Sequence, residues 1–189
     1  MSHSEANTPA GAAQGMGAMF KLAAQAADRA RRMLLDGAPE REVLGILVSA
    51  AESVAGEESV CSILELDRDG LLRNAASPQL PADYLAAIDR LRPDARVGTC
   101  AAAAATGMVV VTRDFHADDK WAELRHLPLS LGFAGAWSMP VKAADGHVLG
   151  TLGTYFRRLR TPSAEEIKSV ELLAKAAGLV LSRHEARAA

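Results

Sequence analysis

Hydrophobic residues near the start of the chain recur every three or four positions, which is typical of an amphipathic helix. The stripe consists of Met19, Leu22, Ala26, Ala30 and Met33. It predicts a helix from about residue 15 to Leu35, after a disordered tail over residues 1–14 that mixes Ser, Asn, Thr, Pro, Gly and Ala. A second helix is predicted to begin near Pro39.

The pattern then changes to alternation, which predicts strands. Strands are expected over residues 60–66, 71–75 and 108–112. A hairpin is expected over residues 133–142 and 147–156, because an Asp145-Gly146 pair between two such runs is a strong turn signal. Short helices are predicted over residues 81–91, 99–106 and 118–131, with Pro128 breaking the last of them.

The chain closes with a long predicted helix that begins near Thr161-Pro162-Ser163, where Ser163 and Glu166 fit a capping box and Thr161 with Pro162 offers an alternative cap. This helix carries two apolar stripes. Either one stripe covers the sheet and the other meets a partner helix, or both stripes belong to a single wide buried face. The element order predicts an α+β fold with an antiparallel sheet, in one domain over residues 15–189.

The composition argues against several classes of protein. The net charge is −2, so there is no basic surplus to neutralise a nucleic-acid backbone. No run of about 20 apolar residues is present, and the start of the chain does not resemble a signal peptide. The two cysteines are too few for a disulfide framework. We expect a cytoplasmic protein that binds neither nucleic acid nor membrane.

Four segments stand in a distinctive order. They are residues 96–100 (Arg-Val-Gly-Thr-Cys), residues 118–121 (Asp-Asp-Lys-Trp) after Asp114, residues 131–141 (Leu-Gly-Phe-Ala-Gly-Ala-Trp-Ser-Met-Pro-Val) and residues 145–151 (Asp-Gly-His-Val-Leu-Gly-Thr). In this order and spacing the chain resembles a GAF domain over about residues 40–185. It is most similar to the sensor GAF domains of bacterial histidine kinases and transcriptional activators.

The resemblance implies a central antiparallel sheet with the terminal helices on one face. Short helices and loops would close a small-molecule pocket on the other face. It also implies a homodimer formed through the terminal helices. We expect a stand-alone domain that signals through a sensor kinase or regulator partner. The ligand stays open among inorganic anions, small organic acids, aromatic compounds and nucleotides.

The chain departs from three branches of that family. It lacks the Asn-Lys-x-Phe-Asp-Glu signature of the cyclic-nucleotide branch. Neither cysteine has the neighbouring histidine that often accompanies bilin attachment, and the methionine sulfoxide reductase branch uses three cysteines where this chain has two. Ala136 stands where related sensor domains often carry a cysteine before the tryptophan.

The candidate ligand-binding residues come from the expected covering segments and the strand that follows them. The set comprises Cys100, Ala101, Phe115, Trp121, Arg125, Phe133, Trp137 and Met139. The resemblance places both tryptophans near the pocket, where an indole offers a flat apolar wall and one N–H donor. The alternatives are core packing for the tryptophans and a surface ion pair for Arg125. Phe133, Trp137 and Met139 share one predicted strand face, which meets either the pocket or the terminal helices.

Cys100 lies at the expected start of a helix. The positive helix end lowers a thiol pKa there, and the backbone N–H groups of residues 98–101 suit an anion. The alternative is a small buried hydrophobic residue. His116 and His126 are ten residues apart and match no compact metal pattern, so neither haem nor a metal is expected.

The leading hypothesis is a sensory domain without enzymatic activity that binds a small molecule and signals through a dimer or a partner. One alternative is a thiol-based redox enzyme or switch that uses Cys100, as in methionine sulfoxide reductases. The other is a scaffold for dimerisation through the terminal helices, with no ligand.

Overall fold

The computed structural model describes the backbone of residues 9–188 and the side chains of residues 17–183. The helices are Pro9–Leu35 (α1), Glu40–Ala55 (α2), Ala82–Ala87 (α3), Cys100–Thr106 (α4), His126–Ser130 (α5) and Ala164–Ala188 (α6). The strands are Ser59–Leu66 (β1), Leu72–Ala76 (β2), Val110–Thr112 (β3), Gly135–Lys142 (β4) and Val148–Phe156 (β5). A short 3-10 turn over Asp119–Trp121 precedes α5. The predicted α+β class is confirmed.

The strands form one antiparallel sheet in the order β2-β1-β5-β4-β3. The central strand β5 pairs with β1 and β4, so that Gly153 lies opposite both Ser62 and Ser138. The β4–β5 hairpin turns at the predicted Asp145-Gly146 pair, where Gly146 has φ +92°, a value that favours glycine. The register across these three strands determines which side chains meet at the centre of the sheet.

Helices α2 and α6 pack on one face of the sheet, and α1 packs against both of them, so that the three helices enclose the main core. Among its fully buried members are Leu47, Ile63, Trp137, Leu152 and Leu173. Helix α4 packs on the opposite face, against β3, β4 and β5. The sheet therefore has a helix side, beneath the long helices, and a covered side, beneath short segments. This layer arrangement agrees with the one that the family resemblance implies.

The start of α6 is anchored to two other elements, α2 and β5. The predicted capping box forms, because the Glu166 N–H donates to Ser163 Oγ and the Ser163 N–H donates to Glu166 Oε2, each at 3.1 Å. Arg160 donates to both Glu166 carboxylate oxygens at 2.7 and 3.0 Å, and to the carbonyl of Ala55 at the end of α2. Its guanidinium also lies 4.7 Å from the centre of the Phe156 ring.

Three predicted helices have different bounds in the structure. Helix α3, predicted over residues 81–91, ends at Ala87. Helix α1 begins at Pro9, earlier than expected, and residues 1–8 of the predicted tail lie outside the described residues. The segment over residues 118–131 is not one helix broken at Pro128, as predicted, but forms the 3-10 turn and, after residues 122–125, helix α5 with Pro128 inside it. A helix running through Pro128 would lose a hydrogen bond and clash with an earlier carbonyl, whereas the first turn of α5 tolerates proline.

Within the described part of the chain, no helix is both long and apolar enough to cross a membrane. Helix α1 is the longest, and it carries four charged residues between Asp28 and Arg32.

Candidate functional site

Alternation along the central strands divides the predicted site residues between the two sides of the sheet. Trp137 and Met139 of β4 belong to the core beneath the long helices. Their neighbours Ala136 and Ser138 face the covered side, where Ser138 Oγ contacts Cys100 Sγ. The structure therefore does not bring Trp137 and Met139 together with Phe115, Trp121 and Phe133, which lie on the covered side.

Phe133 does not share a face with Trp137 and Met139, contrary to the predicted alternation. The strand begins at Gly135 rather than at Phe133. Gly132 takes φ +76°, and the Phe133 N–H donates to the carbonyl of Pro128 at 3.1 Å. This turn directs the Phe133 ring into the cluster on the covered side, because the period of two applies only within the strand.

The covered side holds a second core, separate from the main one. It is built around five aromatic residues that we call the aromatic chamber: Tyr84, Phe115, Trp121, Phe133 and Tyr155. Phe115 and Trp121 meet edge to face with ring centres 4.6 Å apart, and Phe133 lies 5.1 Å from Tyr155. All five are buried, so the chamber is closed in this structure.

The two tyrosines of the chamber bond to each other. Tyr84 Oη donates to Tyr155 Oη at 3.0 Å, and their rings are nearly perpendicular. Burial raises the pKa of both phenols above the ordinary value, so both are neutral at physiological pH. The Tyr84–Tyr155 pair therefore gives the chamber an uncharged polar edge.

A chain of hydrogen bonds ties the chamber to its covering segments. Trp121 Nε1 donates to Thr99 Oγ1 at 2.9 Å, and Thr99 Oγ1 donates to Thr112 Oγ1 at 3.2 Å. Thr112 Oγ1 donates to Asp118 Oδ2 at 2.8 Å, and Lys120 Nζ pairs with the same carboxylate. Burial opposes the ionisation of Asp118, but the hydrogen bonds from Lys120 and Thr112 outweigh it and lower the pKa of Asp118.

Arg125 lies beside the chamber, between the 3-10 turn and α5. Its Nη1 donates to the carbonyl of His116 at 2.7 Å, which ties together the two ends of the covering loop. Its buried Nε has no hydrogen-bond partner among the described residues. Arg125 makes a backbone contact here, and not the surface ion pair that was the alternative to ligand binding.

Cys100 and Ala101 lie at the start of α4, facing the sheet. Ala101 packs with Leu64 and Leu72. Three hydroxyl-bearing residues surround the Cys100 thiol, and we call them the hydroxyl row: Ser62, Ser138 and Thr151. Ser138 Oγ lies 3.4 Å from Cys100 Sγ. A Cβ built on Gly153 would lie 2.9 Å from that sulfur and 3.3 Å from Ser62 Oγ. Because glycine has no side chain, there is room at this position for both groups.

Both cysteines are predicted to react slowly in the folded protein. Burial raises the pKa of the Cys100 thiol, an effect that the nearby Ser138 and Thr151 hydroxyls partly offset, and burial raises the pKa of Cys61 to about 12. A raised pKa leaves little thiolate at pH 7. We expect iodoacetamide to label each cysteine at least about tenfold more slowly in the folded than in the denatured protein.

The labelling is measured by mass spectrometry, with guanidinium-denatured protein as the control. Labelling of folded Cys100 at the rate of a free thiol would contradict this expectation and favour the redox alternative. The two cysteines lie on opposite sides of the sheet, since Cys61 bonds Thr154 on the helix side. They are therefore not placed to act as a pair.

A metal centre finds no support in the described part of the chain, where no three His, Cys, Asp or Glu side chains come close enough to hold an ion. His116 is exposed, and its backbone N–H donates to Asp114 Oδ1 at 2.8 Å. His126 is exposed at the start of α5.

Tyr84, Tyr155 and the hydroxyl row are not among the site residues predicted from the sequence. The residues of the row are spread over three strands, and only the register of β1, β5 and β4 brings them together. One signal was present in the sequence. Ser62, Ser138 and Thr151 each interrupt a strand of otherwise mainly apolar residues. In the sheet, Ser62 and Ser138 both lie opposite Gly153, and Thr151 lies two residues before Gly153 on β5.

Comparisons with known proteins agree with this architecture. A family model described as GAF domain matches residues 37–182. The methyl sulfide methyltransferase-associated sensor of Methanosarcina acetivorans is 30% identical over 160 residues, which cover 84% of this chain and 16% of that protein. The chain thus spans only a small part of this curated relative.

Two solved structures share the fold. The GAF domain from a phosphoenolpyruvate-protein phosphotransferase of Coxiella burnetii is 17% identical, covering 90% of this chain and 96% of that one with a TM-score of 0.72. A domain assigned to a two-component sensor histidine kinase of Sinorhizobium meliloti is 21% identical, covering 75% and 90%, with a TM-score of 0.62. With the family match over most of its length, this chain belongs to the GAF domain family.

Proposed function

We propose that the chain is a sensory module, without enzymatic activity, that binds a small molecule in the aromatic chamber. One observation carries the proposal: five of the chain's eight aromatic residues lie in the second core, under short segments, and not in the main core. Aromatic walls beside a few polar groups are typical of ligand pockets. The relative from Methanosarcina acetivorans is named as a sensor, which supports a sensory role.

In this proposal, binding separates the covering segments from the sheet and stabilises the open arrangement. Strands β4 and β5 carry the chamber on one side and contact α6 on the other, so a shift reaches the terminal helices. A ligand moves this equilibrium only by the difference between its affinities for the two arrangements. We propose that the output passes, in the cytoplasm, to a homodimer or to a sensor kinase or regulator partner. The exposed Phe20, Leu22 and Leu179 of α1 and α6 supply an apolar contact surface.

Native mass spectrometry of freshly purified protein, compared with the same sample after denaturation, tests the proposal. We expect an additional small mass that is lost on denaturation, and the same spectrum counts the subunits. A ligand-free mass at every stage of a gentle purification from the native host would contradict a tightly held ligand. It would favour a scaffold that dimerises without one.

Replacing Trp121 with alanine is expected to weaken the complex with the co-purified molecule by about 1 kcal/mol or more, because the indole forms one wall of the chamber. Titration calorimetry with the isolated molecule measures the change. Phe20→Ala, which removes an exposed aromatic residue of α1, is the matched control and should bind normally. Unchanged affinity in a folded Trp121→Ala protein would remove Trp121 from the site.

A further inference from the structure

Two hydroxyls at the centre of the covered side lack a hydrogen-bond partner. Ser62 Oγ and Thr151 Oγ1 make no hydrogen bond to any described residue, although both side chains are fully buried. Thr151 lies near Cys100 Sγ but without the geometry of a hydrogen bond. A buried hydroxyl without a partner has lost its hydration and gained nothing in exchange. These two atoms therefore reduce stability unless a bound group satisfies them.

The hydroxyl row continues directly into the aromatic chamber. Val60, Ala136 and Tyr155 lie two residues from Ser62, Ser138 and Gly153 on the same three strands, and therefore on the same side of the sheet. Two residues of a strand span about 7 Å. The apolar surface and the hydroxyls are therefore about as far apart as the two ends of a substituted benzene ring.

The charged groups nearby have other partners or lie at the rim. Asp118 is paired with Lys120 and hydrogen-bonded to Thr112. Arg125 Nη1 donates to the His116 carbonyl, and its buried Nε has no partner among the described residues. The residues of the row are all neutral, and the Cys100 thiol beside them stays protonated because burial raises its pKa. Nothing in the row offsets the cost of burying a charged ligand group.

We propose that the hydroxyl row recognises the polar head of an uncharged amphiphilic molecule, whose apolar body, about one ring in size, occupies the aromatic chamber. This inference rests on the proposed function and adds the chemical class of the ligand. Each hydroxyl both donates and accepts a hydrogen bond, so the row suits an amide, a carbonyl or a hydroxyl group. Ser62 and Thr151 supply the bonds that they lack in the closed structure.

Stability and binding should respond in opposite directions when the row is made apolar. Thr151→Val keeps the shape of the side chain and removes the unpartnered hydroxyl, and Ser62→Ala removes the other. Each variant should melt at the same temperature as the unchanged protein or up to about 3 °C higher. Each should bind an amide-headed probe about three- to tenfold more weakly. If the two hydroxyls had only a structural role, their removal would lower the melting temperature and the affinity together.

Thr154→Val is the matched control. Thr154 lies on the same strand, but its side chain faces the helix side and its hydroxyl is bonded to Cys61 at 3.3 Å. This variant should bind the amide-headed probe normally and gain no thermal stability.

The experiment titrates benzamide, benzoate, benzylamine and toluene into the full chain. The indole N–H resonance of Trp121, assigned by its loss in Trp121→Phe, reports binding. We expect benzamide to bind at least tenfold more tightly than benzoate or benzylamine. Thr151→Val and Ser62→Ala should each weaken the binding of benzamide but not that of toluene.

A preference for benzoate would place the polar head at Arg125 and overturn this inference, while leaving a ligand site in the chamber. An affinity for benzamide that neither variant changes would also overturn the inference. No shift with any of the four probes would contradict the proposed function as well.

Discussion

Replacing Arg160 with methionine is expected to lower the free energy of unfolding by about 3 kcal/mol, because it leaves the Glu166 carboxylate buried without its cation. Arg160 also bridges the carbonyl of Ala55 and the Phe156 ring, so one side chain joins the ends of α2 and β5 to the start of α6. Chemical denaturation followed by circular dichroism measures the change.

Two further variants isolate the cause. Arg158→Met removes a neighbouring ion pair with Glu58, in which both side chains are largely exposed, and should cost less than about 0.5 kcal/mol. Adding Glu166→Gln to Arg160→Met should recover at least about 1 kcal/mol, since the uncompensated charge is then gone. A double variant no more stable than Arg160→Met would show that lost packing on Phe156, and not the unpaired carboxylate, causes the destabilisation.

Trp137→Ala should destabilise the protein by about 4 kcal/mol, which corresponds to a fall in Tm of about 10 °C. The side chain is completely buried in the main core, and its removal leaves a large cavity beneath α6. Differential scanning calorimetry measures the loss. This expectation assigns Trp137 to the packing of the helix side.

Trp137→Phe separates packing from ligand binding. The indole Nε1 has no hydrogen-bond partner among the described residues, so phenylalanine gives up no bond and should fold normally. It should also retain the molecule that co-purifies with the unchanged protein. A folded Trp137→Phe protein that has lost that molecule would contradict this assignment and return Trp137 to the ligand site, where the sequence analysis placed it.

Local signals explain what could be predicted from the sequence. The Asp145-Gly146 hairpin and the Ser163–Glu166 capping box each depend on residues a few positions apart, and both form as expected. The side of the sheet that Phe133 faces could not be predicted, because a turn at Gly132 intervenes before the strand begins. The hydroxyl row depends on the register of strands about 90 residues apart in the chain, which no local pattern encodes.

The hydrogen bonds that run from Trp121 through Thr99 and Thr112 to Asp118 have a fixed polarity. An ionised carboxylate only accepts, so Thr112 must turn its single proton toward Asp118 and accept from Thr99. Thr99 must in turn accept from the indole. A negative charge near the surface thus orients every proton along a line that ends inside the chamber. The indole N–H can only donate, so protonation of Asp118 would leave the bond from Trp121 to Thr99 unchanged and would free only the bond between Thr99 and Thr112 to reverse its direction. The charge of Asp118, paired with Lys120, therefore sets which way the two threonine protons point.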